Sequence, residues 1–286
     1  MEFFKKNELK ILGAIALGLM AITGLRMAIS FTLAPGEEPT GLAALLAVEA
    51  PPVKENTAEH PKQMAWSFEG PLGTYDKASV SRGLQVYREV CSACHSLDKI
   101  AFRNLMDIGY TEDQAKAIAA NYEIADIDNF GDEVFRPATL ADYFPNPFPN
   151  ANAASSANGG KAPPDLSLMA KARGDGPNYI FSILTGYTDA PTDFEFNSET
   201  TTYNPYFEGR EIGMAGPLFE GAVEFSDGTE ASVEQMAMDV SNFLMWTAEP
   251  KLEDRHEMGL KVVIYTLLMT LFFFLSMKTI WRRVKK

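Results

Sequence analysis

Residues 91–95 read Cys-Ser-Ala-Cys-His and hold both cysteines of the 286-residue chain. A Cys-x-x-Cys-His run is the pattern of covalent c-type haem attachment. Two thiols held a short fixed distance apart add across the haem vinyl groups as thioethers, and the His that follows is placed beneath the iron as a proximal ligand. Cys91 and Cys94 are then the attachment residues, and His95 the first axial ligand of one haem c. Two other chemistries use a Cys pair. A dithiol redox centre has no need of the adjacent His, and a structural zinc site wants a second Cys pair that this sequence lacks. With both thiols committed to haem, no disulfide remains to report the redox compartment.

A c-type electron carrier commonly takes a Met as its second axial ligand, and 13 Met are present. Met20 and Met27 lie in an N-terminal apolar run, and Met258, Met269 and Met277 in or beside a C-terminal one. Met169, Met236, Met238 and Met245 have helix-like spacing that suits a core. Met214 differs, standing in Ile212-Gly213-Met214-Ala215-Gly216-Pro217, where small residues permit close backbone approach. It is the favoured ligand, with an ordinary loop Met as the alternative. His60 and His256 fall in a tether and in the linker before the last apolar run, as solvated residues, so bis-His ligation is the lesser reading. Haem propionates favour a guanidinium partner, for which Arg173 is the first candidate and Arg103 the second.

The elements that must position these residues follow from periodicity. Residues 76–90 place Val80, Leu84, Tyr87 and Val90 on one helical face, which puts the Cys-x-x-Cys-His motif at a helix end. Thr111-Glu112-Asp113-Gln114 is a capping box opening a helix to about Tyr122, and Ser232-Val233-Glu234-Gln235 repeats it before a helix that stops ahead of Pro250. Residues 178–186 form a further helix burying Ile180, Phe181, Ile183 and Leu184. Between these lie two long loops, 136–165 and 187–217, the first ending in a proline strap at Ala162-Pro163-Pro164-Asp165.

Residues 1–34 have a basic start and a long apolar run, a cleaved leader or an N-terminal membrane segment. Residues 35–65 are an acidic, Pro- and Ala-rich tether, and the folded domain is expected over 66–254. A C-terminal transmembrane anchor is expected over 255–280, where the uncharged stretch Val262 to Met277 with its flanking residues gives about 20 positions, enough to span about 30 Å of hydrocarbon. The basic tail at 281–286 places that end in the cytoplasm and the domain on the opposite side. Net charge is −13, but residues 31–257 carry 15 Lys and Arg against 36 Asp and Glu, a balance of −21. Such a surface repels nucleic acid and attracts basic proteins.

Ser67-Phe68-Glu69-Gly70-Pro71, Arg82 to Tyr87 before the haem motif, Ala162 to Leu168, Tyr179 to Tyr187, Ile212-Gly213-Met214 and Trp246-Thr247-Ala248-Glu249-Pro250 together resemble the bacterial cytochrome c1 family from about Trp66 onward. The resemblance implies a mainly α fold, a cytochrome c-type haem domain with long loops plus a C-terminal transmembrane helix. It implies Met214 as sixth ligand, Arg173 and Tyr179 on the propionate side, and Pro164 among the cofactor contacts. It further implies the electron-transfer subunit of a dimeric quinol-cytochrome c reductase (bc1) complex in the bacterial inner membrane, with the haem domain periplasmic. Its partners there are cytochrome b, a Rieske iron–sulfur protein as donor and a cytochrome c as acceptor. Two departures are visible. No cysteine is spare for the loop disulfide of some members, and Ala215-Gly216-Pro217 replaces a more proline-rich run. The first 65 residues match nothing specific. The alternative is the membrane-anchored cytochrome c subunit of a terminal oxidase; an open-site haem sensor or peroxidase belongs to a different class.

Overall fold

The computed structural model describes residues 58–284. The N-terminal apolar run, nearly all of the expected tether and the last two lysines lie outside the described residues. The architecture is mainly helical, with two small antiparallel hairpins.

Helix α1 (Lys77–Val86) starts where Asp76 Oδ1 accepts hydrogen bonds from Ala78 N and Ser79 N, an N-cap that satisfies two orphan donors. Its apolar face carries the expected Val80, Leu84 and Tyr87, all fully buried, with Gly83 between them. That face packs against α6 (Val233–Ala248), whose Met236, Val240, Phe243 and Leu244 are equally buried. The Ser232 hydroxyl caps α6 by accepting from Gln235 N at 3.2 Å, as expected. The Gln235 side chain, however, does not complete the box: its amide donates to Asp239 one turn on, at 3.0 Å.

Asp239 is fully buried and occupied on both oxygens, by Arg82 Nε at 2.8 Å, Arg82 Nη2 at 3.0 Å and Ser79 Oγ at 2.7 Å. A buried carboxylate is tolerated only when paired in this way. It fixes the register of α1 on α6, because one helix turn of slip would strand both charges.

Between these helices the chain forms a 3-10 segment, Phe102–Ile108, then α2 (Glu112–Ala119), closed by the expected reciprocal box between Thr111 and Gln114. An unforeseen hairpin follows, β1 (Glu123–Ile127) against β2 (Glu133–Pro137). Arg136 ties its base to Asp142 at 2.7 Å. The Ser, Asn and Ala run read as loop contains α3 (Ala151–Ala157), made helical by its alanines and by Asn150 Oδ1 accepting from Ala153 N. Gly159 and Gly160, both at positive φ, end it.

The short α4 (Met169–Ala172) leads to α5 (Gly176–Leu184), which buries Ile180, Phe181 and Ile183 as its periodicity requires. In the second loop, β3 (Thr202–Tyr203) pairs with β4 (Glu211–Ile212). Chain upstream of Trp66 is already fastened to α5: Lys62 N donates to Ser182 Oγ and Met64 N to Asn178 Oδ1. Asn178 Oδ1 also accepts from the Trp66 indole at 2.7 Å. Packing thus begins before the expected boundary at residue 66, because a buried Asn on α5 needs donors that only this segment supplies.

After Pro250, α7 runs without a break over Leu252–Val284. At 1.5 Å per residue that is about 50 Å, and it is the one helix among the described residues long and apolar enough to cross a membrane. Beyond Leu252 its apolar side chains are exposed, in keeping with a lipid-facing surface.

Candidate functional site

The end of α1 widens into a π-helical turn at Tyr87–Cys91, so Ser92 N reaches Tyr87 O at 2.8 Å. Cys94 N and His95 N then both donate to Cys91 O, at 3.1 and 2.9 Å. One carbonyl therefore closes the turn that holds both thiols and the imidazole. Cys94 is exposed and Cys91 partly so. Burial, with Cys94 beside it, pushes the Cys91 thiol up to about 12. A redox-active dithiol needs the opposite, a thiolate stabilised near neutrality.

Pro164 enters the site through its backbone. Its carbonyl lies 2.8 Å from His95 Nδ1, and since a carbonyl only accepts, Nδ1 carries the proton. Nε2, without a hydrogen-bond partner among the described residues, is the nitrogen left to ligate. Burial lowers the His95 pKa, opposed by the Pro164 bond and by nearby Asp165, which keeps the ring neutral as a metal ligand requires. The Tyr87 hydroxyl donates to the His95 carbonyl at 3.1 Å, tying the motif back to the helix-packed core.

Asp165, next in the strap, accepts from Ser96 Oγ at 2.8 Å, Asp98 N at 3.0 Å and Ser167 N at 2.9 Å. Burial pushes this carboxyl up, but the bonds from Asp98, Ser167 and Ser96 outweigh it and hold the group below its ordinary value.

Met214 is half-buried just past β4. Its carbonyl accepts from the Tyr187 hydroxyl at 3.1 Å. The flanking glycines are positions of close approach, though toward protein: a β-carbon on Gly216 would lie 3.2 Å from the Tyr187 ring, and one on Gly213 3.1 Å from the Lys161 side chain. Arg173 is exposed and lies near the half-buried Tyr179, where its positive charge opposes the rise that burial gives the Tyr179 hydroxyl. Burial raises the Tyr187 pKa, and Tyr179 adds to that shift, so Arg173, Tyr179 and Tyr187 lie near one another, with Tyr187 bonded to the Met214 carbonyl.

The candidates therefore fall into two groups, Cys91, Cys94, His95 and Pro164 in one and Arg173, Tyr179 and Met214 in the other. Among the described residues no hydrogen bond joins the groups. Arg103, the second propionate candidate, instead donates to Ala141 O at 3.5 Å. His60 is exposed. His256 is not a solvated linker residue: its Nδ1 lies 2.9 Å from Gly73 O, which fixes α7 to the domain.

These residues suit a haem. A cleft of about 200 Å³ borders Cys94, walled by Phe148, Pro149, Ala154, Ala162 and Pro163. A wall of apolar residues interrupted by Ser96, Asn146 and Asn150 beside a thiol, with an imidazole whose outer nitrogen is already bonded, suits such a group. Among the described residues no three His, Cys, Asp or Glu converge to bind a bare metal ion. A larger hollow, about 400 Å³ at Phe196–Thr201, is lined by polar groups that mostly serve to close its own loop on Glu211. Sequence reading missed Asp165 and Tyr187 as site residues, although both sit inside runs that carry the resemblance. Their roles depend on backbone partners, which residue types do not reveal.

Comparison with known proteins agrees with this geometry. The Cytochrome C1 family profile matches residues 66–284. "Cytochrome c1, heme protein, mitochondrial" of Saccharomyces cerevisiae is 50% identical over 206 residues, covering 72% of this chain and 67% of the yeast protein. "Cytochrome c1" of the bacterium Rhodospirillum rubrum is 44% identical over 237 residues, covering 77% of this chain and 87% of its own length. "Cytochrome c1 1, heme protein, mitochondrial" of Arabidopsis thaliana is 47% identical over 223 residues, 78% of this chain and 72% of the relative. The match spans more than three quarters of the chain and takes in every candidate site residue, and the chain belongs to the cytochrome c1 family.

Proposed function

We propose that this chain is the haem-bearing electron relay of a membrane quinol-cytochrome c reductase, taking single electrons from a Rieske iron–sulfur protein and passing them to a cytochrome c. The observation that carries the reading is the His95 Nδ1 to Pro164 O bond immediately beside two cysteines at thioether spacing. When bound, haem c supplies a one-electron Fe(III)/Fe(II) couple, and no substrate bond is made or broken by the chain itself.

Each residue then has a task. Cys91 and Cys94 attach the haem covalently. His95 and Met214 would hold its iron, and two protein ligands would leave no open position for oxygen chemistry. Arg173, near Tyr179, faces the propionates and offsets their charge. Phe148 and Pro163 line the cleft beside Cys94 and offer apolar surface to the ring. The acidic excess over residues 31–257 attracts a basic cytochrome c to this domain.

Helix α7 anchors the domain, with cytochrome b as its neighbour in a dimeric complex. The basic residues after Lys278 favour a cytoplasmic C-terminus with the haem domain in the periplasm. Membership of the cytochrome c1 family disfavours a terminal-oxidase subunit.

Mass analysis of a tryptic peptide containing residues 91–95 tests attachment directly: a haem-sized increment is expected, and an unmodified peptide from native membranes would refute the reading. Met214→Leu is expected to convert a low-spin, Met-ligated spectrum to high spin, and an unchanged spectrum would remove Met214 as ligand.

A further inference from the structure

Pro164 reaches His95 with an atom that its own side chain cannot hold in place. Neither Pro163 nor Pro164 has an N–H, and Pro164 is exposed, so the two prolines offer no backbone donor to anchor themselves. What keeps the Pro164 carbonyl on Nδ1 must come from the residues that follow.

The geometry points to Asp165 as the residue that positions the His95 ligand: its carboxylate fastens the proline strap to the segment just beyond the haem motif, and its charge reinforces the imidazole as an electron donor to the iron. This rests on the reading that His95 ligates haem.

One oxygen of Asp165 accepts from Ser96 Oγ and Asp98 N, at 2.8 and 3.0 Å. The other accepts from Ser167 N at 2.9 Å, so one carboxylate spans both segments. Two further bonds lie alongside, Leu166 N to Ser96 O at 2.9 Å and Lys99 N to Ser167 Oγ at 3.1 Å. Residues 165–167 and 96–99 are thereby laced together immediately beside the His95 to Pro164 contact. All the donors to Asp165 are neutral, and among the described residues no ion pair reaches it; Lys99, near enough to feel its charge, pairs with Asp98 instead.

A negative charge close to the ligand favours the ferric over the ferrous state, and a firm Nδ1–H···O bond makes the imidazole a stronger donor with the same preference. Both effects hold the reduction potential down. Asp165→Asn has nearly the same shape but removes the charge and turns one acceptor into a donor facing a donor, so both effects weaken together. Ser96→Ala removes one fastening bond and keeps the charge.

The test is a redox titration of the haem in the purified membrane complex, with hydrogen exchange at the Leu166 and Lys99 amides. Asp165→Asn is expected to raise the potential, shifting the reduced-to-oxidised ratio at fixed ambient potential about tenfold toward reduced, the usual scale for losing a partner that orients a metal ligand. It is also expected to speed exchange at both amides. Ser96→Ala is expected to shift the potential in the same direction by less, and it keeps the test readable should Asp165→Asn assemble poorly. A normal haem spectrum with unchanged potential in both variants overturns this inference alone. A complex in which residues 91–95 carry no haem overturns the functional reading and this one with it.

Discussion

Gly83 rests against the Asp239 carbonyl: a β-carbon added at Gly83 would lie 2.1 Å from that oxygen and 2.7 Å from Phe243 Cβ. Helices α1 and α6 therefore meet backbone to backbone, and the first of them ends in the haem motif. Asp239 serves the same contact twice, since its side chain takes the Arg82 guanidinium one residue away. Gly83→Ala is expected to push the helices apart and destabilise the domain by about 1–3 kcal/mol, the range for overpacking a dense core. Thermal unfolding of the haem-loaded protein, read beside the Asp239→Asn variant, measures it. Breaking that buried pair leaves Arg82 without its main partner and is expected to cost about 3 kcal/mol.

The joint between domain and anchor is the next place to probe. Glu249 accepts Lys171 at 2.5 Å and also Arg255, and the Tyr75 hydroxyl donates to Glu249 O at 3.0 Å. Tyr75 N donates to Glu253, and His256 bonds Gly73 O, so the segment 73–75 is clamped between α6 and α7. Glu249→Gln and Tyr75→Phe are expected to broaden the distance distribution between a spin label on the domain and one on α7 in lipid nanodiscs. The Tyr75→Phe change should also cost about 1 kcal/mol, the net worth of one hydrogen bond.

Acid should loosen the loop that carries Met214. The Thr201 hydroxyl and the Asn197 side chain, with the backbone amides of Asn197 and Ser198, lower the Glu211 pKa from 4.5 to about 2. A depressed carboxylate contributes stability that is fully present above its ordinary value and is lost as pH falls through the folded one. The Asn197 and Ser198 amides are therefore expected to lose protection between about pH 4.5 and pH 2, after correction for intrinsic exchange. Glu211→Gln should abolish most of that dependence.

Electron delivery to a basic cytochrome c is expected to slow as salt rises. Residues 31–257 hold an excess of 21 acidic side chains, and attraction over such a surface is screened beyond about 8 Å at physiological ionic strength. Stopped-flow rates over a range of salt concentration measure this, and a flat dependence would remove acidic steering.

Much of the helical frame could be read in advance because its causes are local. A Cys-x-x-Cys-His run, the Thr111–Gln114 box, the Ser232 cap and an uncharged stretch before Lys278 each act within a few residues of one another. Helix α3 and the β1–β2 hairpin were missed although their causes are local too: the Asn150 cap lies in a run rich in turn formers, which masks it, and the hairpin's charged strands, tied by Arg136 to Asp126 and Asp142, carry no apolar alternation.

The amino-acid sequence alone determined that two thiols and an imidazole lie within one turn, that an apolar anchor follows the domain, and that the surface between is acidic. Covalent spacing, hydropathy and charge are properties of neighbours along the chain. Only the tertiary structure decided what holds His95. Its Nδ1 partner is the Pro164 carbonyl, 69 residues away, kept there by an Asp165 carboxylate that spans two segments. A backbone carbonyl has the same chemistry at every residue, so which one meets the imidazole is settled by packing.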